Sequence, residues 1–311
     1  MVIGDVMLDN YLIGSVDRIS PEAPIPVVSI KQKDSRLGGA ANVARNLQSL
    51  GATAILCAVI GQDENGHHLL DLMNEQLLGT EGITSSPYRP TTVKTRIISN
   101  NQQLIRFDEE VTYNLHELIE QAFLEQILLL FKSLEPDVVI FQDYDKGTLT
   151  PVIIEGVTEV CMHHKIPVLV DPKKKNFGRY RNASLFKPNL KELKEGLHAD
   201  VQSEDAEELF AIGQNFIKKH RIGQLIVTLG SKGLFACDHK EHYLIPAKPR
   251  AIADVSGAGD TVIATAALCK AAGLDLHTTA KLANLAGGLV CEKPGVVAIQ
   301  PEELMKEWEN E

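Results

Sequence analysis

The fold is decided by one stretch of this sequence, 254-DVSGAGDT-261. It follows a segment of β-forming residues and prolines, 243–253, and leads into an alanine-rich helical pattern at 262–270. The pattern predicts a strand-to-helix turn. Three small residues, Gly257, Ala258 and Gly259, let an anion approach the first amides of the helix. Those N–H groups have no internal partner and lie at the positive end of the helix dipole.

Asp260 adds a carboxylate to the first turn of the same predicted helix. As a helix-stabilising device alone, it would contribute only about 0.3–1 kcal/mol. An ordinary capped helix is the alternative interpretation. A carboxylate beside an anion-binding set of amides can also take a proton from an alcohol as charge develops on a phosphoryl group. This combination indicates a small-molecule kinase.

The same stretch resembles the signature of the ribokinase-like (PfkB) carbohydrate kinases, which usually have Thr-Thr where this chain has Val255-Ser256. The resemblance implies an α/β fold, a three-layer αβα sandwich with a mainly parallel central sheet and a small β-sheet lid. It also implies a phosphotransferase with an alcohol group as acceptor, using ATP and Mg²⁺. Asp260 would be the base, and the amides of Gly257, Ala258 and Gly259 would hold the transferring phosphoryl group.

A second stretch, 38-GGAANVARNLQSLG-51, predicts a helix opened by two glycines and ended by a third. It resembles the other signature of the family. There, Gly38 and Gly39 would let the sugar lie on bare backbone, and Asn42 would hydrogen-bond a hydroxyl. Asp9 follows the predicted first strand, 1–5, through a predicted loop at 6–9. Ligands collect where strands end in open α/β sheets, so Asp9 is expected to bind sugar hydroxyls, with a turn aspartate as the alternative.

The net charge, the length of the apolar runs and the cysteine count limit the class of protein. A net charge of -10 disfavours nucleic-acid binding, and no apolar run approaches the 18 residues of a membrane span. The start carries Asp5 and Asp9 rather than a basic, apolar leader, so we expect a cytoplasmic protein without a membrane partner. The first strand is short for a central strand, which suggests a clipped N-terminus. Five cysteines without Cys-x-x-Cys spacing predict buried thiols rather than disulfides or a zinc site.

The order of predicted elements favours one kinase domain over 1–311, with lid strands from about 10–33 and 91–110 and no room for a second enzyme domain. A proline-rich segment at 18–28 predicts an edge strand, and 94–99 with 103–108 predicts a hairpin.

Beyond residue 115, strands and helices alternate, as in a parallel sheet. The predicted helices are 115–134, 149–164, 203–220, 276–290 and 301–310, and the strands are 137–141, 166–171, 184–187 and 224–229. Neither a Walker loop nor a dinucleotide-binding glycine motif is present.

Several strand ends carry candidate nucleotide-side residues. The stretch 187-KPNLKE-192 matches a family element in which Asn189 and Glu192 would organise Mg²⁺ and the phosphates, through water. By the same resemblance, Thr228 and Gly230 would contact ATP, and Asn284 would lie beside adenine. Asp254 and the turn 293–295 would hold a monovalent cation such as K⁺, a role that the Val255-Ser256 departure leaves open.

Three further stretches, 4-GDVMLD-9, 18-RISPEAP-24 and 101-NQQLIRFD-108, are similar to the D-glycero-β-D-manno-heptose 7-phosphate kinases of this family. The similarity implies transfer of the γ-phosphate of ATP to the anomeric hydroxyl, giving the 1,7-bisphosphate used for ADP-heptose and lipopolysaccharide precursors. A phosphorylated substrate needs cations, and Arg106 and Lys173 are the candidates.

Two alternatives stay open at this point. One is a kinase for another sugar, of ribokinase, fructokinase or phosphofructokinase type. The other is a catalytically silent relative that only binds sugar or nucleotide, which the intact Asp260 disfavours. An open lid edge also predicts pairing with a second copy as a homodimer.

Overall fold

The computed structural model describes residues 1–100, 102–197 and 205–310. In chain order, its elements are β1 (Val2–Gly4), β2 (Val6–Ile19), β3 (Pro26–Gly39), α1 (Ala40–Ser49), β4 (Leu56–Gly61), α2 (Glu64–Glu75), β5 (Ile83–Ser86), β6 (Val93–Ser99), β7 (Gln102–Glu109), α3 (Glu117–Leu134), β8 (Val139–Gln142), α4 (Pro151–His164), β9 (Val168–Asp171), β10 (Leu185–Phe186), α5 (Leu190–Leu197), α6 (Ala206–His220), β11 (Gln224–Thr228), β12 (Leu234–Cys237), β13 (His242–Ile245), α7 (Ala258–Ala271), α8 (Leu276–Val290) and α9 (Pro301–Glu309).

A nine-stranded sheet forms the body, in the order β13-β12-β11-β10-β9-β8-β1-β4-β5. It is parallel except for β12 and β13, which pair antiparallel at one edge. The predicted αβα architecture with a mainly parallel sheet is therefore confirmed. Short β1 is a central strand, and its two sides bond β4 and β8. The carboxyl ends of β1, β8, β9 and β10 lie along one edge of this sheet, which is where such folds bind ligands.

The central strands are buried on both faces because helices cover each side. Alternate residues of one strand belong to different cores: Ile3 lies in the core that includes residues of α3, α4 and α6, and Val2 lies in the core that includes residues of α1, α2, α7 and α8. The second core accepts small residues along α7 and α8, such as Ala264 and Ala283, so these helices pack closely on the sheet and on each other. The start of α7 is thus held against the sheet edge.

A separate four-stranded sheet has the order β3-β2-β6-β7. The sequence predicted a loop at 6–9, and this was wrong: Val6–Ile19 is one strand, because its backbone pairs with β3 on one side and β6 on the other. The proline-rich segment does lead into an edge strand, β3. The hairpin of β6 and β7 is present, although Asn101 of its predicted turn lies outside the described residues.

Other expectations can be compared directly. The prediction for α8 is correct to the residue, whereas Ser203, the predicted start of α6, lies outside the described residues. The segment 243–253 was expected to be β-like up to the signature. The strand instead ends at Ile245, and residues 246–257 lack regular structure, because Pro246 and Pro249 have no N–H to donate to a neighbouring strand. Strand β12 was not predicted at all.

All five cysteines are buried and free, as predicted. In the described part of the chain, no helix combines the length and hydrophobicity needed to cross a bilayer.

Candidate active site

Helix α7 begins at the sheet edge with the small residues of the signature. Gly257, the N-cap, has φ 82°, a left-handed conformation that favours glycine. A Cβ at this position would lie 2.8 Å from Nδ2 of Asn42, so a larger residue would also displace that amide. No side chain caps the helix, and although the Ala258 N–H donates to the Val255 carbonyl at 3.3 Å, the amides of Gly259 and Asp260 remain available to an anion.

Asp260 lies in the first turn of α7 and is 3% exposed. Three side chains donate hydrogen bonds to its carboxylate: Asn42 to Oδ2 at 2.8 Å, and Tyr144 and Gln142 to Oδ1 at 2.7 and 3.1 Å. They come from α1, from the loop after β8 and from the end of β8. The carboxylate is therefore held in one orientation by three separate elements.

Burial raises the pKa of Asp260 to about 6, although the hydrogen bonds from Asn42 and Tyr144 lower it. A carboxylate with this pKa is ionised at neutral pH and is a stronger base than an exposed aspartate. Desolvation and the neighbouring Asp260 raise the pKa of Tyr144 well above its ordinary value, so its hydroxyl stays a neutral donor. The Asp260 carboxylate, held by this neutral hydroxyl, is therefore able to accept a proton from a substrate.

The loop that carries Tyr144 is fixed by Asp5, which follows β1. The Asp5 carboxylate accepts hydrogen bonds from the backbone N–H groups of Tyr144, Lys146 and Thr148, at 2.9, 3.1 and 3.0 Å. Asp5 is 1% exposed, so these bonds are shielded from water. Asp5 thereby positions Tyr144 without touching Asp260.

Two lysines approach the same place from the neighbouring strands. Lys187 directly follows β10, is 3% exposed and pairs with Asp171 of β9 at 3.0 Å. Its Nζ lies 3.5 Å from where a Cβ of Gly259 would be, so a buried ammonium flanks the start of α7. Lys173 pairs with Glu192 and lies 5.4 Å from the centre of the Tyr144 ring. Burial lowers the pKa of Lys173, but the carboxylates of Asp171 and Glu192 outweigh this effect and raise it.

Asn189 and Glu192 form a reciprocal capping pair at the start of α5. The Asn189 backbone N–H donates to Glu192 Oε2, and the Glu192 N–H donates to Asn189 Oδ1, both at 2.8 Å. Glu192 Oε1 accepts from Lys173. This carboxylate therefore caps a helix and neutralises a lysine, and its remaining lone pairs can accept bonds from water. No cluster of three potential metal-binding side chains occurs within residues 1–100, 102–197 and 205–310.

On the other side of Asp260, Asp9 of β2 is buried and pairs with Arg96 of β6 at 2.6 Å. Asp9 also lies against β3, because a Cβ at Gly38 would come within 2.1 Å of its Oδ2. Only glycine permits this approach. Gly39 follows as the N-cap of α1, which starts the helix that carries Asn42. These predicted sugar-side residues are thus neighbours in space.

The other predicted residues lie on β11, on α8 and in the loops beside them. Thr228 ends β11 beside Asn189, Gly230 lies in an exposed turn, and Asn284 of α8 donates to the carbonyl of Pro246 at 2.9 Å. Asp254 accepts N–H groups of Ser256 and Gly295, at 2.9 and 3.1 Å.

Arg106 lies on β7, with half of its side chain exposed, and pairs with Asp108 of its own strand at 3.0 Å. Its contact with a substrate phosphate stays a prediction.

Sequence reasoning did not identify Tyr144 and Gln142, and it included Lys187 only as the first residue of the stretch 187–192. The usable signal was position: Gln142 ends a buried strand, Tyr144 follows it, and Lys187 follows the strand two places along the same sheet. Polar residues at adjacent parallel strand ends meet at one edge.

Comparison with known proteins identifies the family and the fold of this chain. Residues 1–303 match the model of the pfkB family carbohydrate kinases. The chain is 40% identical over 311 residues to the bifunctional protein HldE of Methylobacillus flagellatus and 41% identical over 309 residues to that of Trichlorobacter lovleyi. These matches cover 100% and 98% of the chain, which spans only 63% and 62% of those relatives.

Among solved structures, the fold resembles phosphofructokinase-2 from Escherichia coli in complex with potassium, with a TM-score of 0.82. The match covers 99% of this chain and 97% of that one, at 18% identity. A putative ribokinase from Agrobacterium tumefaciens gives a TM-score of 0.74 at 19% identity, covering 100% and 98%. At these identities, the likeness concerns the fold.

Proposed function

This chain belongs to the pfkB family of carbohydrate kinases, and on that basis we propose that residues 1–311 act as a single kinase domain. The proposed reaction transfers the γ-phosphate of ATP to the anomeric hydroxyl of D-glycero-β-D-manno-heptose 7-phosphate, giving the 1,7-bisphosphate. The observation that carries the proposal is the pairing of buried Asp260 with the uncapped start of its own helix, beside the Lys187 ammonium.

In the transfer step, Asp260 accepts the proton of the anomeric hydroxyl as its oxygen bonds to the γ-phosphorus. The bond from that phosphorus to the bridging oxygen breaks, and ADP leaves with the electron pair. Negative charge on the phosphoryl oxygens is stabilised by the amides of Gly257, Ala258 and Gly259 and by Lys187. Lys173 lies close enough to share this charge.

Mg²⁺ would neutralise charge on the ATP phosphates. The donor set fits a hydrated ion rather than a directly ligated one, because both Glu192 oxygens and Asn189 Oδ1 already accept one hydrogen bond each. Mg²⁺ retains much of its hydration shell, so Asn189 and Glu192 would hold its waters. Thr228 and Gly230 would contact the phosphates and Asn284 the adenine.

Asp254 is suited to a monovalent cation. Burial alone would raise its pKa, but the hydrogen bonds from the backbone of Ser256 and Gly295 outweigh this and lower it. The carboxylate is therefore ionised, and each oxygen keeps a lone pair for K⁺. Replacing K⁺ by tetramethylammonium should then slow turnover, and an equal rate in both salts would contradict the proposal.

At the acceptor end, Asp9, Gly38, Gly39 and Asn42 would bind the sugar. Asn42 Oδ1 is buried without a donor in the described part of the chain, although its Nδ2 is held by Asp260. A hydroxyl hydrogen of the sugar would satisfy this oxygen. The second sheet would cover the sugar and exclude water, and Arg106 would lie at its rim.

A homodimer through the second sheet is the proposed assembly. Ile105 and Phe107 of β7 are 54% and 43% exposed, and Ile97 is the cross-strand partner of Ile105. These apolar side chains share one face of a sheet whose edges are open. Light scattering should give twice the monomer mass, and Ile105→Glu should give the monomer.

The heptose assignment is supported by the stretches 4–9, 18–24 and 101–108 and by the relatives named HldE. It can be tested by phosphorus-31 NMR of reactions with a panel of acceptors. We expect a new anomeric phosphate signal with heptose 7-phosphate and little product with ribose, fructose or fructose 6-phosphate. Better turnover of fructose 6-phosphate would exclude the heptose assignment, and no ATP use with any sugar would indicate a silent relative.

A further inference from the structure

Three arginines meet beside the proposed sugar-binding residues, and we call Arg36, Arg45 and Arg96 the arginine cluster. The guanidinium carbons of Arg36 and Arg96 lie 5.0 and 5.2 Å from the centre of the Tyr11 ring, which therefore separates two cations. Arg45 lies on α1, close enough to Arg36 for repulsion to lower its pKa further than burial alone.

The cluster has more donors than the described residues use. Arg96 donates to Asp9 through Nη1, and Arg36 donates to Asp34 and to the Pro294 and Val296 carbonyls. Within residues 1–100, 102–197 and 205–310, the half-buried side chain of Arg45 makes neither a hydrogen bond nor an ion pair, and the buried Tyr11 hydroxyl has no acceptor for its hydrogen. Enclosed donors without acceptors are costly, so this arrangement indicates a site for an anion.

The position of the cluster relative to Asp260 follows from the topology. Arg45 comes one helical turn after Asn42, which bonds Asp260, and Arg96 bonds Asp9. The second sheet leaves the main sheet at β1, whereas Lys187 follows β10, and β9 and β8 lie between those strands. Along the main sheet, the cluster thus lies on the β1 side of the proposed site and Lys187 on the β10 side.

We propose that the arginine cluster binds a phosphate group on the acceptor, at the end remote from the hydroxyl that is phosphorylated. The proposal rests on the proposed kinase function and makes the acceptor class a sugar monophosphate rather than a free sugar. Guanidinium groups suit this role because their planar N–H pairs match phosphate oxygens bidentately.

Three other cations, two on the second sheet and one in the loop after β8, already have carboxylate partners. Lys94 pairs with Asp108 and Glu110, and Lys146 pairs with Glu110 as well. Arg106 is the cross-strand partner of Arg96, but Asp108 engages two of its nitrogens. Arg36 and Arg96 likewise have carboxylate partners, Asp34 and Asp9, whereas Arg45 has none in the described chain, so the free binding capacity of the cluster lies at Arg45 and the Tyr11 hydroxyl.

The test compares Arg45→Met and Arg96→Met with Arg18→Met, which removes an exposed arginine from the same strand as Tyr11. With heptose 7-phosphate and ATP, each cluster variant should raise the Michaelis constant for the sugar phosphate about 10- to 100-fold, the range expected for a lost charged hydrogen bond. The Michaelis constant for ATP should stay within about twofold, and thermal unfolding should confirm that each variant is folded. Calorimetric titration of heptose 7-phosphate without ATP should show the same loss of affinity.

The outcomes separate the two proposals. If the unmodified protein uses heptose 7-phosphate and the cluster variants resemble Arg18→Met, the phosphate site is wrong and the kinase function stands. If another sugar phosphate is the better acceptor and the variants weaken its binding, the phosphate site stands and the heptose assignment fails. If unphosphorylated sugars are used as well as their phosphates, the cluster has no such role.

Discussion

Asn42 and Asp260 are 218 positions apart in the chain, yet the amide of one donates a 2.8 Å hydrogen bond to the carboxylate of the other. This bond joins the first turn of α1 to the first turn of α7, so the proposed sugar-binding and phosphate-binding segments share one contact. The proposed base is held by a residue that also has a free acceptor for the substrate.

Replacing the proposed base tests the reaction most directly. Asp260→Asn keeps the size of the side chain but cannot accept the substrate proton at neutral pH. We expect turnover to fall by about 10²–10⁴-fold, with ATP affinity measured by calorimetry nearly unchanged. Asp275→Asn, at an exposed helix cap, is the matched control and should retain full turnover. Retained turnover in Asp260→Asn would remove this residue from its role.

The pH dependence follows from the pKa of Asp260, about 6. Below this value the carboxylate is protonated and cannot act as a base, so kcat/KM should fall tenfold per pH unit on the acid side. Tyr144→Phe removes a hydrogen bond that lowers this pKa, so the acid limb should move to higher pH. Tyr113→Phe, which loses a hydroxyl bonded to a backbone carbonyl, should leave the limb in place. An unshifted limb in Tyr144→Phe would show that another group titrates.

Lys187 is expected to stabilise the transferring phosphoryl group. Lys187→Met should lower kcat by about 10²–10³-fold, as for loss of one preorganised charge-stabilising donor. The same change leaves Asp171 buried without its cation, which would also destabilise the fold. The double variant Lys187→Met with Asp171→Asn removes that penalty. Recovery of thermal stability without recovery of kcat supports the catalytic role, whereas recovery of both would make Lys187 purely structural.

Glu192→Gln separates metal organisation from helix capping, because glutamine also completes a capping box. Charge is lost while the cap is kept. We expect a higher Mg²⁺ concentration for half-maximal rate, measured at saturating ATP, with thermal stability little changed. Identical Mg²⁺ curves for the original protein and the Glu192→Gln variant would count against the metal role.

Much of the body was predictable because its elements carry strong local patterns. Helix α8 has a capping Asp275, a run of small apolar residues and a predicted end before Lys293, and its bounds are correct. The signatures at 38–51 and 254–261 also place Asn42 and Asp260 at helix starts, as the structure does. Their mutual hydrogen bond depends on tertiary packing, which no local pattern records.

The missed features share a physical cause. Residues 6–9 continue the strand because β3 and β6 supply partners from far along the chain, and a sequence window contains neither. Tyr144, Gln142 and Lys187 lie at strand ends, where one polar residue changes no periodicity. Arg45 occupies a helix position where an exposed arginine is the ordinary expectation, and only the approach of Arg36 from β3 makes it unusual.

The direct passage from β1 into β2 has a mechanical consequence. Only Asp5 separates the central strand of the body from a strand of 14 residues, and Asp5 is itself bonded to the loop after β8. The end of the second sheet next to β1 is therefore fixed to the main sheet, because no flexible linker between β1 and β2 could act as a hinge. Closure of the second sheet over the proposed sugar would therefore require bending and twisting along β2 and β3, with the displacement growing toward Ile19 and Pro26. Asp9, close to the anchor, would stay nearly stationary while the distal edge sweeps across the entrance.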